Sequence, residues 1–266
     1  MGLPVRTMAW RATEISGAEP LLTREWIVTN GLGGYACGTV ANVATRRYHG
    51  LLIAALPAPV GRLLMFNHLS EQVLLPGGQM IRLGGREHTG RLTLHNISAL
   101  AEFRLEAGLP VWRYEMDGVA LEKRVFMVHR QNTSFIVYRL VGGDGPVRLR
   151  LRPLLNIRYH DASVNAPLKH PYALKMVGER YEIAANDPAL PPLRLRLEGE
   201  HAALTLSGGS VRNLFYRVEA TRGYPDVGDL WSPGYFHVEL RPDRPACLIA
   251  SIEPWRTMQA LSPHEA

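Results

Sequence analysis

The chain has 266 residues, of which 46% are hydrophobic and 20% are charged, and its formal net charge is +6. This composition is typical of a globular protein and excludes an intrinsically disordered chain, which would contain fewer apolar residues. The basic residues are spread along the sequence without a run of five or more. The charge therefore does not indicate a nucleic-acid partner, which a clustered basic patch would favour.

The N-terminal segment MGLPVRTMAW lacks the apolar core of a signal peptide, and no apolar stretch is long enough to span a bilayer. We therefore expect a cytoplasmic protein with no membrane partner. The two cysteines, Cys37 and Cys247, are too few for a disulfide framework. We expect both to be packed as free thiols.

A glycine-rich segment, TNGLGGYACGT, follows the strand-like REWIVT. Gly31, Gly33 and Ala36 match the dinucleotide pattern G-x-G-x-x-A, which also needs a following helix and an acidic residue about 20 positions on. Neither is present, because residues 39–45 favour a strand and no Asp or Glu occurs between Glu25 and Glu71. The segment, with Asn30 and Gly34, predicts a tight turn, and a turn close to a ligand or neighbouring domain is the alternative.

The next polar segment places Arg46, Arg47, Tyr48 and His49 side by side before an apolar run. In a strand, the two arginines would point to opposite faces. Since no acidic residue is near in sequence, their partners must come from distant parts of the chain or from another domain. Two interpretations remain open, a structural hydrogen-bond network and a polar interface to another domain or to a sugar.

The rest of the chain predicts short strands between turns. Residues 58–75 have some helical spacing, but proline and glycine flank them. Asp117-Gly118 between alternating segments is a hairpin signal, and Trp112 on the preceding strand is predicted to lie in the core. Residues 148–155 and 193–199 alternate arginine with leucine, which predicts strands with one packed face. Gly-Gly pairs at 77–78, 84–85, 142–143 and 208–209 predict further turns, and the whole pattern predicts an all-β sandwich or barrel.

The sequence contains none of the common catalytic motifs. The ten histidines and two cysteines show no metal-ligand spacing, and no G-x-S-x-G motif marks a serine nucleophile. Carboxylates that could form a glycosidase pair are present, but no motif assigns a role to any of them: Glu71, Asp161, Asp226 and Asp229. We therefore expect no metal and no cofactor, and we assign no catalytic residue.

Four segments, spread over nearly the whole chain, carry a resemblance to one family. They are EWIVTNGLGGYACGTVANVATRRYHGLLIAAL, PVWRYEMDGVALEKRVFMVHRQNTSFIVYRL, LRLRPLLNIRYH and RGYPDVGDLWSPGYFHVEL. In this order they resemble the N-terminal domain of bacterial and archaeal glycogen debranching enzymes of the amylo-α-1,6-glucosidase type. The resemblance implies that residues 1–266 form a single large β supersandwich of the galactose-mutarotase-like type.

In that family, an (α/α)6 toroid follows this domain and carries the catalytic carboxylates. The resemblance therefore implies a non-catalytic domain of a glycoside hydrolase, with a C-terminal toroid and an α-glucan such as glycogen or a maltooligosaccharide as partners. We expect this chain alone to be inactive and to be a fragment of a longer protein. The alternatives are a stand-alone carbohydrate-binding module and a mutarotase-like sugar epimerase that would use His160 with a distant glutamate.

Two places depart from the family pattern. The family often has an acidic residue between the arginine and the aromatic residue, whereas here Arg158 is followed directly by Tyr159 and His160, with Asp161 after them. The family also tends to place an acidic residue sooner after RGY, whereas here Pro225 precedes Asp226.

Trp231 and Tyr235 are candidate platforms, because flat aromatic faces stack on sugars. The predicted substrate or domain-interface residues are Asn30, Gly33, Gly34, Arg46, Arg47, Tyr48, His49, Arg158, His160, Trp231 and Tyr235.

Overall fold

The computed structural model describes residues 18–143, 145–260 and 262 with their side chains, and residues 5–9 by their backbone. In these residues the chain forms three antiparallel sheets and three short helices, which confirms the predicted all-β sandwich. Residues 1–4 and 10 of the N-terminal segment considered as a signal peptide lie outside the described residues. No helix in the described ranges combines the length and apolar character needed to cross a membrane.

The strands are short, apart from two long ones near the C-terminal end. In chain order they are β1 Val5–Ala9, β2 Glu25–Thr29, β3 Tyr35–Thr39, β4 Gly50–Ala55, β5 Arg62–Phe66, β6 His68–Leu74, β7 Met80–Leu83, β8 Gly85–His88, β9 Arg91–Leu94, β10 Leu100–Glu106, β11 Leu109–Met116, β12 Val119–Met127, β13 Thr133–Gly142, β14 Val147–Leu154, β15 Arg158–Tyr159, β16 Ala173–Val177, β17 Arg180–Ala184, β18 Leu193–Glu198, β19 Glu200–Phe215, β20 Val227–Leu240 and β21 Ala246–Ser251. The helices are α1 Glu19–Thr23, α2 Arg217–Thr221 and α3 Trp255–Met258, with a 3-10 turn at Ile97–Ala99.

The sheets contain nine, seven and five strands. The nine-stranded sheet has the order β1-β10-β11-β12-β13-β21-β18-β17-β16. The seven-stranded sheet has the order β7-β6-β14-β20-β19-β8-β9, and the five-stranded sheet has the order β15-β5-β4-β3-β2. Because β14 pairs with both β6 and β20, strands that are far apart in sequence lie together in the seven-stranded sheet.

One apolar core joins the nine-stranded sheet to both of the others. Trp112 of β11 meets Trp26 of the five-stranded sheet edge to face, with 5.3 Å between ring centroids. Tyr181 of β17 meets Phe236 of the seven-stranded sheet in the same way, at 5.1 Å. The nine-stranded sheet is therefore one layer of a sandwich, and the two smaller sheets share the layer that faces it.

The hairpin between β11 and β12 forms at the predicted place. Met116 pairs with Val119, and both Asp117 and Gly118 have positive φ angles, of 43° and 80°. Positive φ at both central residues is the geometry that Asp-Gly favours in a two-residue hairpin. Trp112 is fully buried, which confirms its predicted place in the core.

Residues 58–75, whose helical spacing is interrupted by flanking proline and glycine, form β5 and β6, and their apolar residues fill the core from a sheet. Two local predictions are wrong. The strand predicted over residues 39–45 ends at Thr39, whose hydroxyl bonds both the N–H and the carbonyl of Val43 and closes a turn. The turn predicted at residues 208–209 lies inside β19, where the pairing with β20 shifts register.

Candidate functional site

The glycine-rich segment forms the predicted tight turn between β2 and β3. Asn30 is fully buried, and its Oδ1 accepts the N–H groups of Leu32 and Gly34, each at 2.9 Å. A side chain at Gly34 would place its Cβ 2.6 Å from Asn30 Nδ2 and 2.9 Å from the Ile53 carbonyl oxygen. The turn therefore requires glycine at this position for close packing, with no nucleotide needed to explain it.

Arg46 and His49 both contact one carboxylate. Arg46 Nε lies 2.5 Å and His49 Nε2 lies 3.3 Å from Glu25 Oε1. His49 Nδ1 accepts the N–H of Thr45 at 3.1 Å, so its proton sits on Nε2 and points at Glu25. Burial raises the pKa of Glu25, but hydrogen bonds from His49 and Arg46 outweigh it and lower that pKa to about 2. These two predicted residues therefore hold the start of β2 against the 44–49 segment.

Arg47 has a different carboxylate partner. Glu219, on α2, is completely buried and accepts the backbone N–H of Arg47 at 3.0 Å. The Arg47 Nε atom lies 3.7 Å from Glu219 Oε2. Because residues 46–48 form a turn rather than a strand, the two arginines do not take opposite faces of a sheet. Both are partly exposed and neither is sealed in the core.

Arg158 organises the loop after β15. Its side chain is buried and donates to the carbonyl oxygens of Tyr159, His160, Ala162 and Arg47, at 2.7–3.3 Å. Burial lowers the pKa of Arg158. One guanidinium thus ties the 158–162 loop to the 44–49 segment, although these parts of the chain are more than 100 residues apart.

Aromatic rings surround Arg47. Its guanidinium lies 4.8 Å from the ring centroids of both Tyr48 and Tyr224, and Nη2 donates to the Tyr48 hydroxyl at 2.7 Å. The Tyr48 ring lies 5.8 Å from that of His160. We name these residues the Arg47 cluster: Arg47, Tyr48, Arg158, His160, Glu219 and Tyr224.

The glycine turn is joined to this cluster by Arg62, which no sequence pattern singled out. Arg62 Nε donates to the Gly33 carbonyl at 2.6 Å, and the His160 N–H donates to the Arg62 carbonyl at 3.1 Å. The structure thus brings the predicted residues Gly33, Arg47, Tyr48 and Arg158 to one region, with His160. Glu219 and Arg62 carried no signal, since neither lies in a motif, whereas Tyr224 lies in the quoted RGYPDVGD segment.

Trp231 lies on β20 and packs on other aromatic rings. It forms an isolated bridge with Leu155, and the Tyr172 ring stacks on it with 4.8 Å between centroids and 26° between planes. His170 meets its edge at 6.4 Å. One face of this predicted platform is therefore already occupied by Tyr172, and contact with a sugar at the other face stays a prediction.

Tyr235 lies apart, on β20. The guanidinium carbons of Arg150 and Arg152 are 5.2 Å and 5.6 Å from its ring centroid. Both arginines belong to the alternating 148–155 segment, whose leucines are buried and whose arginines face outward, as predicted. The structure does not bring Tyr235 into the Arg47 cluster.

His160 and Cys37 are the titratable groups that bear on the catalytic alternatives. His160 Nδ1 lies 4.0 Å from the carboxylate of Asp161, its exposed neighbour in sequence, and no glutamate among the described residues forms an ion pair with it. Burial raises the pKa of the Cys37 thiol to about 12, and its sulfur contacts the Tyr48 carbonyl at 3.3 Å. Cys37 is thus not a thiolate nucleophile at neutral pH. Among the residues described, no three His, Cys, Asp or Glu side chains are grouped so as to hold a metal ion.

Comparison with known proteins identifies one family. Residues 24–246 match the family model described as glycogen debranching enzyme N terminal. No curated protein matches the chain.

Two solved structures show slight likeness to this one. A protein described as a kojibiose phosphorylase, from human microbiome, has a TM-score of 0.42 and 6% identity, over 96% of this chain and 33% of its own. A bacterial glucoamylase complexed with acarbose has a TM-score of 0.35 and 8% identity, over 98% of this chain and 39% of its own. The chain thus spans less than two fifths of either protein's length, and likeness this slight carries no argument.

Proposed function

Because the chain belongs to the glycogen debranching enzyme N-terminal family, we propose that it is the non-catalytic domain of a debranching glycoside hydrolase of the amylo-α-1,6-glucosidase type. In this proposal, residues 1–266 form one domain that packs on a C-terminal catalytic toroid and helps to shape the glucan cleft. The toroid supplies the carboxylates that hydrolyse the α-1,6 linkage. The Arg47 cluster and the neighbouring glycine turn are the surface that meets the toroid or the glucan.

The observation that supports the Arg47 cluster as the contact surface is the set of exposed apolar side chains around it. Tyr224 is 49% exposed, Tyr159 is 42% exposed and Leu32, in the glycine turn, is 44% exposed. Large apolar side chains that are grouped on a surface mark contact sites for other molecules. Here they lie among hydrogen-bonding groups of arginine and tyrosine, a mixture that suits both a domain interface and a sugar.

The internal contacts of the Arg47 cluster support a surface that is held rigid before it binds. Buried Glu219 accepts the backbone N–H of Arg47, and Arg158 bonds the Arg47 carbonyl and the carbonyls of the 158–162 loop. A preorganised surface loses less conformational entropy when a partner binds. The structural hydrogen-bond network and the interface, which the sequence left as alternatives, are then two parts of one arrangement.

The test uses the native gene product at its full length. We expect its mass to exceed the 29.6 kDa of this chain and the product to release glucose from a branched limit dextrin, whereas this chain alone releases none. Tyr224→Ala should reduce that release by about 10-fold or more, because the Tyr224 ring helps to position the glucan for the reaction. Its exposure makes a folding defect a poor explanation for the loss.

Met176→Ala is the matched control, since Met176 is 47% exposed but lies on β16 at the edge of the nine-stranded sheet. Equal activity of Tyr224→Ala and the native sequence would show that the Arg47 cluster does not contribute to glucose release. A native product of 29.6 kDa that binds maltooligosaccharides would instead favour the carbohydrate-binding module. Acceleration of glucose mutarotation by this chain would favour the epimerase.

A further inference from the structure

A separate cleft, of about 180 Å³, opens on the outer face of the seven-stranded sheet. The alternation of β6 turns Ser70 and Gln72 outward, and their cross-strand neighbours are Arg152 on β14 and Arg82 on β7. Arg86 of β8 completes the polar lining from the opposite side. The register of β6, β7 and β14 therefore places two arginines at this concavity, and Arg86 adds a third.

The charge of this cleft is not balanced by its own acid. The carboxylate that lines it, Glu87, is already bound by Arg217 through two contacts of 2.8 Å each. In the described residues, neither Arg82 nor Arg86 forms an ion pair. Arg152 donates to the Ser207 carbonyl at 2.8 Å, which positions its guanidinium without neutralising it. The cleft therefore presents an excess of positive charge.

Burial and nearby cations lower the pKa of two histidines that line the cleft. Burial, with Lys123 and Arg86, lowers the pKa of His68 to about 4. Burial, with Arg82 and Arg86, also lowers the pKa of His95. Arg82, Arg86 and His95 all line the cleft, and both guanidinium groups contribute to the lower pKa of His95. At neutral pH both imidazoles are uncharged and can each donate and accept a hydrogen bond.

We propose that this cleft binds a phosphate monoester of a small polyhydroxylated molecule, with the phosphate at Arg82 and Arg86 and the hydroxyls at Ser70, Gln72 and His95. Guanidinium groups bind phosphate oxygens through paired, charge-assisted hydrogen bonds. Serine and glutamine supply neutral donors and acceptors suited to hydroxyl groups.

The size and the walls of the cleft set the ligand class. Its volume lies below the roughly 300–1,000 Å³ typical of sites for drug-sized ligands, so it suits one small molecule. Leu154 and Leu214, which belong to one small apolar cluster, form an apolar wall for the C–H face of such a ligand. The site goes beyond the proposed glucan contact, because a neutral glucan offers no charge to these arginines.

Calorimetric titration of the 266-residue chain with glucose 6-phosphate, inorganic phosphate and glucose tests the proposal. We expect glucose 6-phosphate to bind more tightly than inorganic phosphate or glucose. Its affinity should fall as the salt concentration rises, because the contacts are ionic. Arg82→Gln/Arg86→Gln should weaken it by about 10-fold or more. The matched control, Arg139→Gln/Arg256→Gln, removes the same charge from exposed positions outside the cleft and should bind as the native chain does.

Amide NMR shifts of the native chain with glucose 6-phosphate give a second measurement that does not depend on variant folding. Shifts at Ser70, Gln72 and His95 support the site. Shifts confined to other strands, absence of binding at millimolar concentration, or equal weakening in both double variants would overturn it. Equal affinity for inorganic phosphate would overturn the assignment of the hydroxyl contacts, and equal affinity for glucose would overturn that of the phosphate. None of these results bears on the debranching role.

Discussion

Lys123 Nζ lies 2.9 Å from Glu71 Oε1 in the core between the nine-stranded and seven-stranded sheets. Both side chains are almost completely buried, and the Tyr138 hydroxyl also donates to the Glu71 carboxylate. Burial and the Glu71 charge raise the pKa of Tyr138 well above its ordinary value, so it remains a donor. The two facing layers of the sandwich are therefore joined by a buried ion pair as well as by apolar contacts.

We expect Lys123→Met to destabilise the fold by about 3–5 kcal/mol, because it leaves the Glu71 charge buried without its cation. The triple variant Lys123→Met/Glu71→Met/Tyr138→Phe removes both charges and the Tyr138 hydroxyl and should recover most of that loss. Urea unfolding of the native chain and both variants measures the free energies. A triple variant as unstable as the single one would mean that the ion pair itself stabilises the fold.

Arg158→Lys tests how far one guanidinium supports the Arg47 cluster. A lysine has one nitrogen and cannot reach the four carbonyl oxygens that Arg158 bonds, so we expect a loss of about 1–3 kcal/mol. Hydrogen exchange at residues 158–162 should become faster. Arg256→Lys, at an exposed position, is the control and should change neither measurement. Unchanged exchange in Arg158→Lys would show that the loop is held by its other contacts.

The local features of the fold were predictable, whereas the charged contacts between distant residues were not. Asp117-Gly118 specifies its hairpin from two adjacent residues, and Trp112 shows its burial through alternation along one strand. The same alternation places Lys123 on the inner face of β12. Its partner, Glu71, is 52 residues away, and nothing in either segment indicates the pairing.

The candidate site follows the same division. The residue types of the 46–49 segment indicated a polar contact, but Glu219 lies 172 residues from Arg47 and no motif contains it. The Gly208-Gly209 pair indicated a turn, yet it lies inside β19 because cross-strand pairing with β20 carries the strand through a register shift. Contacts with parts of the chain outside the local segment decide both cases, and a single sequence does not reveal them.

The two thiols should be unreactive in the folded protein. Burial raises the pKa of Cys37 to about 12 and raises that of Cys247 well above its ordinary value. We therefore expect neither to react with a thiol reagent within minutes at pH 8, and both to react in urea. Cys37→Ser assigns any residual reaction to one residue. Rapid labelling of Cys37 in the folded chain would contradict its packing against the 44–49 segment.

The pairing of Glu25 with His49 and Arg46 should make stability depend on acid. Burial opposes ionisation of Glu25, but those hydrogen bonds lower its pKa from 4.5 to about 2 in the folded state. A carboxyl whose pKa falls on folding stabilises the protein fully above its unfolded pKa. This contribution is then lost as the pH falls from 4.5 towards 2.

Glu25→Gln should therefore lower the melting temperature most above pH 5, and the difference from the native chain should narrow as the pH falls towards 2. Thermal unfolding between pH 2 and pH 7 measures this difference. Glu179→Gln, at an exposed position in the turn between β16 and β17, is the control and should give a small difference at every pH. A gap for Glu25→Gln that widened below pH 4 would have the wrong sign. Such a result would mean that the Glu25 contacts do not hold the 44–49 segment in place.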